Sequence, residues 1–149
     1  MGRQEIDITV PSAAPPAAVF ALLADGASWP AWSPIDSFEL ERPGTDAPEG
    51  VGAVRVLRSG RTEGRDTIVE LVPDRRFAYT HVSSLPVKDY RGQVDLEPDG
   101  AGTRIRWTAS FAPRFPGTGP LVKLGIRRFL SGCAQGLADH AGAARRAGP

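Results

Sequence analysis

Arg104-Ile105-Arg106-Trp107-Thr108-Ala109-Ser110-Phe111 alternates strictly, with Ile105, Trp107, Ala109 and Phe111 on one side and Arg104, Arg106, Thr108 and Ser110 on the other. A period of two belongs to a strand with one buried face. After the stretch from Pro113 to Pro120 the period lengthens, and Val122, Ile126, Phe129, Cys133, Leu137 and Ala141 recur at spacings of three and four. That spacing predicts a helix of roughly 25 residues, about 38 Å long, enough to lie across a whole sheet. A sheet followed by one long amphipathic helix makes the fold class α+β, with the helix covering one face of the strands. Gly125, Gly132 and Gly136 each cost such a helix up to about 1 kcal/mol against Ala, and either admit close packing or leave space beside it. A frayed tail is expected after Ala144.

Working back along the chain, Tyr90, Gly92, Val94 and Leu96 form the preceding alternating set, and Pro98-Asp99-Gly100-Ala101-Gly102 is a hairpin signal between the two. Phe77, Tyr79 and His81 alternate with Ala78, Thr80 and Val82. Thr67 to Val72 reads as a strand stopped by Pro73-Asp74, with Gly60 and Gly64 bracketing the hairpin before it. Ala53 to Arg58 and the Phe38, Leu40 pair complete an antiparallel meander of six strands. Ile6, Ile8 and Val10 supply one more strand at the start. Pro15-Pro16 open a short helix carrying Val19, Phe20, Leu22 and Leu23. Ser28 offers a cap for a second short helix, Trp29-Pro30-Ala31-Trp32. With no internal repeat or linker, residues 1–149 are expected to form a single domain.

The chain's 18 Lys and Arg against 17 Asp and Glu leave a net charge of +1, and the basic residues are scattered. Nucleic-acid binding needs a clustered basic excess, so no nucleic-acid partner is expected. Cys133 has no disulfide partner, and with His81 and His140 alone beside it the usual zinc ligands are missing. Neither a metal nor a cofactor is expected. The longest apolar run, Ala17 to Ala24, falls far short of the ~20 residues that cross a bilayer. Met1 to Glu5 lacks the apolar core of a signal peptide, so a cytoplasmic protein without a membrane span is expected.

One strand, two short helices, a six-strand meander and a long C-terminal helix form a distinctive order. Val19-Phe20-Ala21-Leu22-Leu23-Ala24-Asp25 and Trp29-Pro30-Ala31-Trp32-Ser33-Pro34 resemble the opening of the START-like superfamily, also called SRPBCC. Gly52-Ala53-Val54-Arg55, Ile68-Val69-Glu70, Pro73-Asp74-Arg75-Arg76-Phe77-Ala78-Tyr79 and Gly102-Thr103-Arg104-Ile105-Arg106-Trp107 look like its polyketide cyclase/dehydratase and lipid-transport branch. The resemblance implies a helix-grip fold: a seven-stranded antiparallel curved sheet wrapped around the C-terminal helix, with two short helices after strand 1 and an apolar cavity inside. Because this scaffold carries cyclases, hydrolases, carriers, allergens and co-chaperones, fold alone does not settle function.

Taking the more apolar or aromatic face of each strand as inward gives a list of cavity residues. Phe38, Tyr79, His81, Tyr90, Trp107 and Phe111 come from the sheet, Trp32 from the mouth, and Phe129, Cys133 and Leu137 from the helix. A buried phenol wants a hydrogen-bond partner, which a ligand could be for Tyr79 or Tyr90. Arg55 and Glu70 lie mid-strand among apolar neighbours, and if both face inward they form a buried ion pair. In a cyclase-like mechanism Glu70 would take a proton next to a carbonyl while Arg55 or Tyr79 steadies the enolate. A one-residue slip in register would send either to solvent. His81 reads as a general base or a wall residue, and Cys133 as an inert small hydrophobe. The expected function is binding of a small hydrophobic or aromatic molecule by a monomer or homodimer. The alternatives are a polyketide cyclase/dehydratase-type enzyme and a co-chaperone-like interaction module.

Overall fold

The computed structural model describes residues 3–147, with side chains through residue 143; Met1 and Gly2, part of the amino-terminal stretch read above, lie outside the described residues. The elements run β1 (Gln4–Ser12), α1 (Pro16–Ala24), a 3₁₀ turn (Gly26–Ser28), α2 (Trp29–Trp32), β2 (Ser37–Arg42), β3 (Val54–Ser59), β4 (Thr62–Val72), β5 (Arg76–Ser83), β6 (Val87–Asp99), β7 (Gly102–Pro113) and α3 (Gly119–Ala147). All seven strands join one antiparallel sheet in the order β1-β7-β6-β5-β4-β3-β2. The meander therefore runs in sequence from β2 to β7, and β1 closes beside the last strand. This is the expected α+β architecture, a curved sheet gripping the C-terminal helix.

Alternation along β7 survives intact: Ile105, Trp107 and Phe111 are fully buried, and Arg104 and Arg106 face out to pair with Glu97 and Asp7. Each such large apolar side chain contributes roughly 1.5–3 kcal/mol when taken out of water. Pro16 starts α1, where a missing N–H costs nothing. Val19 and Leu23 then bury its inner side.

Three local expectations change. The β3–β4 turn is tighter than read, with Gly60 at φ 60° and β4 already running at Thr62, so Gly64 lies inside the strand. Ser28 does not cap α2; its hydroxyl lies between the Leu22 and Asp25 carbonyl oxygens, at 2.8 and 2.7 Å, with one hydrogen to share between them, and accepts from Trp32 Nε1. The C-terminal helix, Gly119–Ala147, spans 29 residues against the roughly 25 expected.

The two halves of α3 sit differently. In the second half Cys133, Ala134, Leu137, Ala138 and Ala141 are buried, and the Ser12 hydroxyl of β1 donates to the Ala138 carbonyl at 2.9 Å. A Cβ on Gly136 would collide with the Trp32 carbonyl oxygen, so glycine there permits helix and α2 backbones to touch. In the first half a Cβ on Gly125 would meet nothing within 4 Å.

Candidate functional site

Between the first half of α3 and the concave face of the sheet lies a cavity of about 430 Å³. Leu57, Trp107, Ile126 and Leu130 give it apolar walls, and Phe129, 37% exposed, stands at its edge. Two glycines shape the sheet side. A Cβ at Gly92 would strike the Tyr79 ring, and one at Gly64 would strike the His81 imidazole, so both rings lie flat across a neighbouring strand.

Polar groups enter this wall in one transverse row. Register pairs Arg55 with Asp66, Asp66 with His81, and His81 with Tyr90 across β3, β4, β5 and β6. Asp66 Oδ1 lies 2.6 Å from His81 Nδ1, and the His81 and Tyr90 ring centres are 5.2 Å apart. Asp66, His81 and Tyr90 all line the cavity. Deeper in, Trp107 Nε1 donates to the Tyr79 hydroxyl at 3.1 Å. Burial pushes the Tyr79 phenol well above the ordinary tyrosine range, and Tyr90 is raised by the same cause, with Asp66's negative charge adding to both. The Cys133 thiol is also pushed up by burial and stays protonated. Among the described residues no group of three or more His, Cys, Asp and Glu converges as a metal site would require.

Of the residues read from sequence, Tyr79, His81, Tyr90, Trp107, Phe129 and Cys133 line the cavity, and the others do not. Trp32 is not at a mouth: it is 6% exposed and packs on Trp29 with ring centres 4.6 Å apart. Phe111 is fully buried behind Tyr90, nearly parallel to it at 5.8 Å between centres. Leu137 is fully buried in the tight half of α3, and Phe38 sits over Gly26 beside Arg55.

The Arg55–Glu70 pair does not form. A bulge between Ile68 and Glu70 shifts the register of β4 against β5, so the inward phase of Asp66 and Ile68 passes to Leu71 and Glu70 turns out. Glu70 pairs with Arg76 and Arg91 on the outer face, 38% exposed. Arg55 does face inward, 1% exposed, but it serves the fold instead of the cavity. Its guanidinium donates to the Leu23 and Ala24 carbonyls at 3.0 and 2.8 Å, meets Glu49 at 2.9 Å, and lies 5.1 Å from the Phe77 ring centre. It thereby satisfies the carbonyl end of α1, where a cation is favoured. Burial lowers its pKa, with Glu49 opposing that shift.

Asp66 was not read from sequence. Counting back by two from Ile68 places it on the inner face, opposite His81; beginning the strand at Thr67 hid it.

The family described as polyketide cyclase/dehydrase and lipid transport matches residues 3–142. The chain belongs to that family. Among solved structures, this family member is similar to a START superfamily protein from Mycobacterium smegmatis, at 16% identity and TM-score 0.80, covering 94% of this chain and 97% of that one. It is similar to the Zhui aromatase/cyclase from Streptomyces sp. R1128, at 19% identity and TM-score 0.75, covering 98% of both chains. It is also similar to Ara h 8.0201, at 18% identity and TM-score 0.78, covering 94% of this chain and 98% of that one. These likenesses establish the helix-grip fold. No match is found among curated proteins. Among the described residues no helix is long and apolar enough to cross a membrane.

Proposed function

We propose that this family member binds an apolar or aromatic small molecule between its sheet and α3. The observation that carries the reading is the cavity of about 430 Å³, within the usual 300–1,000 Å³ of ligand sites and mostly apolar with a few convergent polar groups. Tyr79, His81, Tyr90, Trp107, Phe129 and Cys133 are its proposed contacts. Native mass spectrometry and organic extraction of purified protein are expected to reveal bound material, and aromatic or acyl ligands to raise the melting temperature. A full panel that leaves the melting temperature unmoved, with nothing extracted, refutes the reading.

A second reading, polyketide cyclase or dehydratase catalysis, is favoured by one observation: the Asp66–His81 pair on the cavity wall. Turnover of a poly-β-ketone substrate that falls on His81→Gln supports it, and no turnover by the wild type refutes it. A single domain, a cytoplasmic setting, a monomer or homodimer and no nucleic-acid partner belong to the same proposal; the near-neutral charge supports the last of these and the single buried thiol the cytoplasmic setting.

A further inference from the structure

His81 is held from three sides. Asp66 engages Nδ1 from the neighbouring strand, Gly64 leaves room beneath the ring, and Tyr90 packs against it. An ionised carboxylate can only accept, so the Nδ1 atom carries the hydrogen. In the neutral imidazole that leaves a lone pair on Nε2. No described residue donates to Nε2, while the ring lines the cavity.

The remaining polar groups near it differ in kind. The phenols of Tyr79 and Tyr90 and the thiol of Cys133 are kept protonated by burial, so they can donate. Asp66 gives one oxygen, Oδ1, to His81, and Arg55, the next residue of the row, turns its two terminal nitrogens to α1 and Glu49. His81 Nε2 is therefore an acceptor on this wall to which no described side chain donates, as is the second Asp66 oxygen, Oδ2. His81 Nε2 is not among the buried unpartnered polar atoms, so water reaches it, and a ligand group that replaces this water must bring an N–H or O–H. A phenol or enol hydroxyl is the strongest neutral donor that an aromatic or conjugated frame carries, and that frame suits the apolar walls.

Building on the cavity reading above, we infer that the ligand bears a phenolic or enolic hydroxyl that donates to His81 Nε2, with Asp66 as the positioning residue that fixes the imidazole tautomer. Calorimetric titration with 2-naphthol and 2-methoxynaphthalene isolates this one hydrogen bond, since the pair share a ring system and differ in the donor. The wild type is expected to bind the naphthol about tenfold more tightly, the worth of one well-made buried hydrogen bond. His81→Leu is expected to bring the two affinities together while still binding the methyl ether. Asp66→Asn, which no longer dictates the tautomer, is expected to shrink the preference without abolishing binding. Circular dichroism confirms that each variant folds. Equal affinities in the wild type, or a preference that persists in His81→Leu, overturn this inference and leave the cavity reading standing. Failure of the wild type to bind either probe overturns this inference too, and the cavity reading is then decided by the extraction and the full ligand panel.

Discussion

Gly136 and Gly125 lie on one helix, yet the same substitution at each is predicted to act with opposite sign. Alanine is favoured over glycine in a helix interior by up to about 1 kcal/mol, which both variants gain. At Gly125 the added Cβ meets nothing within 4 Å, so the gain stands and the melting temperature rises by about 2–4 °C. At Gly136 the added Cβ meets the Trp32 carbonyl oxygen, a backbone atom with no rotamer to retreat to. Overpacking costs about 1–3 kcal/mol, and backbone against side-chain carbon in a buried contact falls at the upper end. After the propensity gain the net loss is about 2 kcal/mol, or about 4–8 °C. Urea unfolding followed by far-ultraviolet circular dichroism measures both variants; the midpoint should move with the slope unchanged. A Gly136→Ala variant as stable as the wild type would refute the close approach of α3 to α2.

The charged residues separate as clearly. Glu49→Gln leaves the Arg55 guanidinium buried without its carboxylate and is expected to cost about 3 kcal/mol, whereas Glu70→Gln, removing an exposed outer-face pair, costs under about 1 kcal/mol; thermal unfolding of both tests the order. Both of the chain's two tyrosines are buried with raised pKa values, so ultraviolet titration of the folded protein is expected to show no phenolate step near the ordinary value of about 10. The sign follows from linkage: the neutral phenols contribute stability that is present below their unfolded pKa and lost as pH rises from there toward the folded values, so phenolate should appear together with unfolding. A reversible step near 10 with the fold intact would contradict their burial. Cys133, buried and with its thiol pushed up, is expected to react with a disulfide reagent at pH 8 far more slowly than free cysteine until denaturant is added; labelling at the free rate counts against the packing of α3.

Strand placement was legible because each strand of this sheet presents one face to the core, so alternation around Ile105, Tyr79 or Ile8 marks both the strand and its inner side. Glu70 escaped that logic. The bulge that turns it outward is a mismatch between two strands, with no mark in the pattern of β4 alone. Asp66 escaped for the opposite reason: it is polar yet inward, and a rule that sends polar residues to solvent discards it. Alternation also says which way a side chain points without saying where along the sheet the helix stands off. Phe111 and Leu137 point inward as expected and are core, while Tyr79 and His81 point inward and meet empty space.

The unequal halves of α3 separate two kinds of selection. Around Gly136 and Ala138 the helix is tied by backbone contacts to α2 and β1, so most changes there are paid in folding. Around Gly125, Ile126 and Phe129 it roofs open volume, and a larger or smaller side chain alters what fits beneath without disturbing the anchor. A lineage built on this chain can thus reshape the enclosed space by substitution in two helical turns while the rest of the sequence preserves the walls around it.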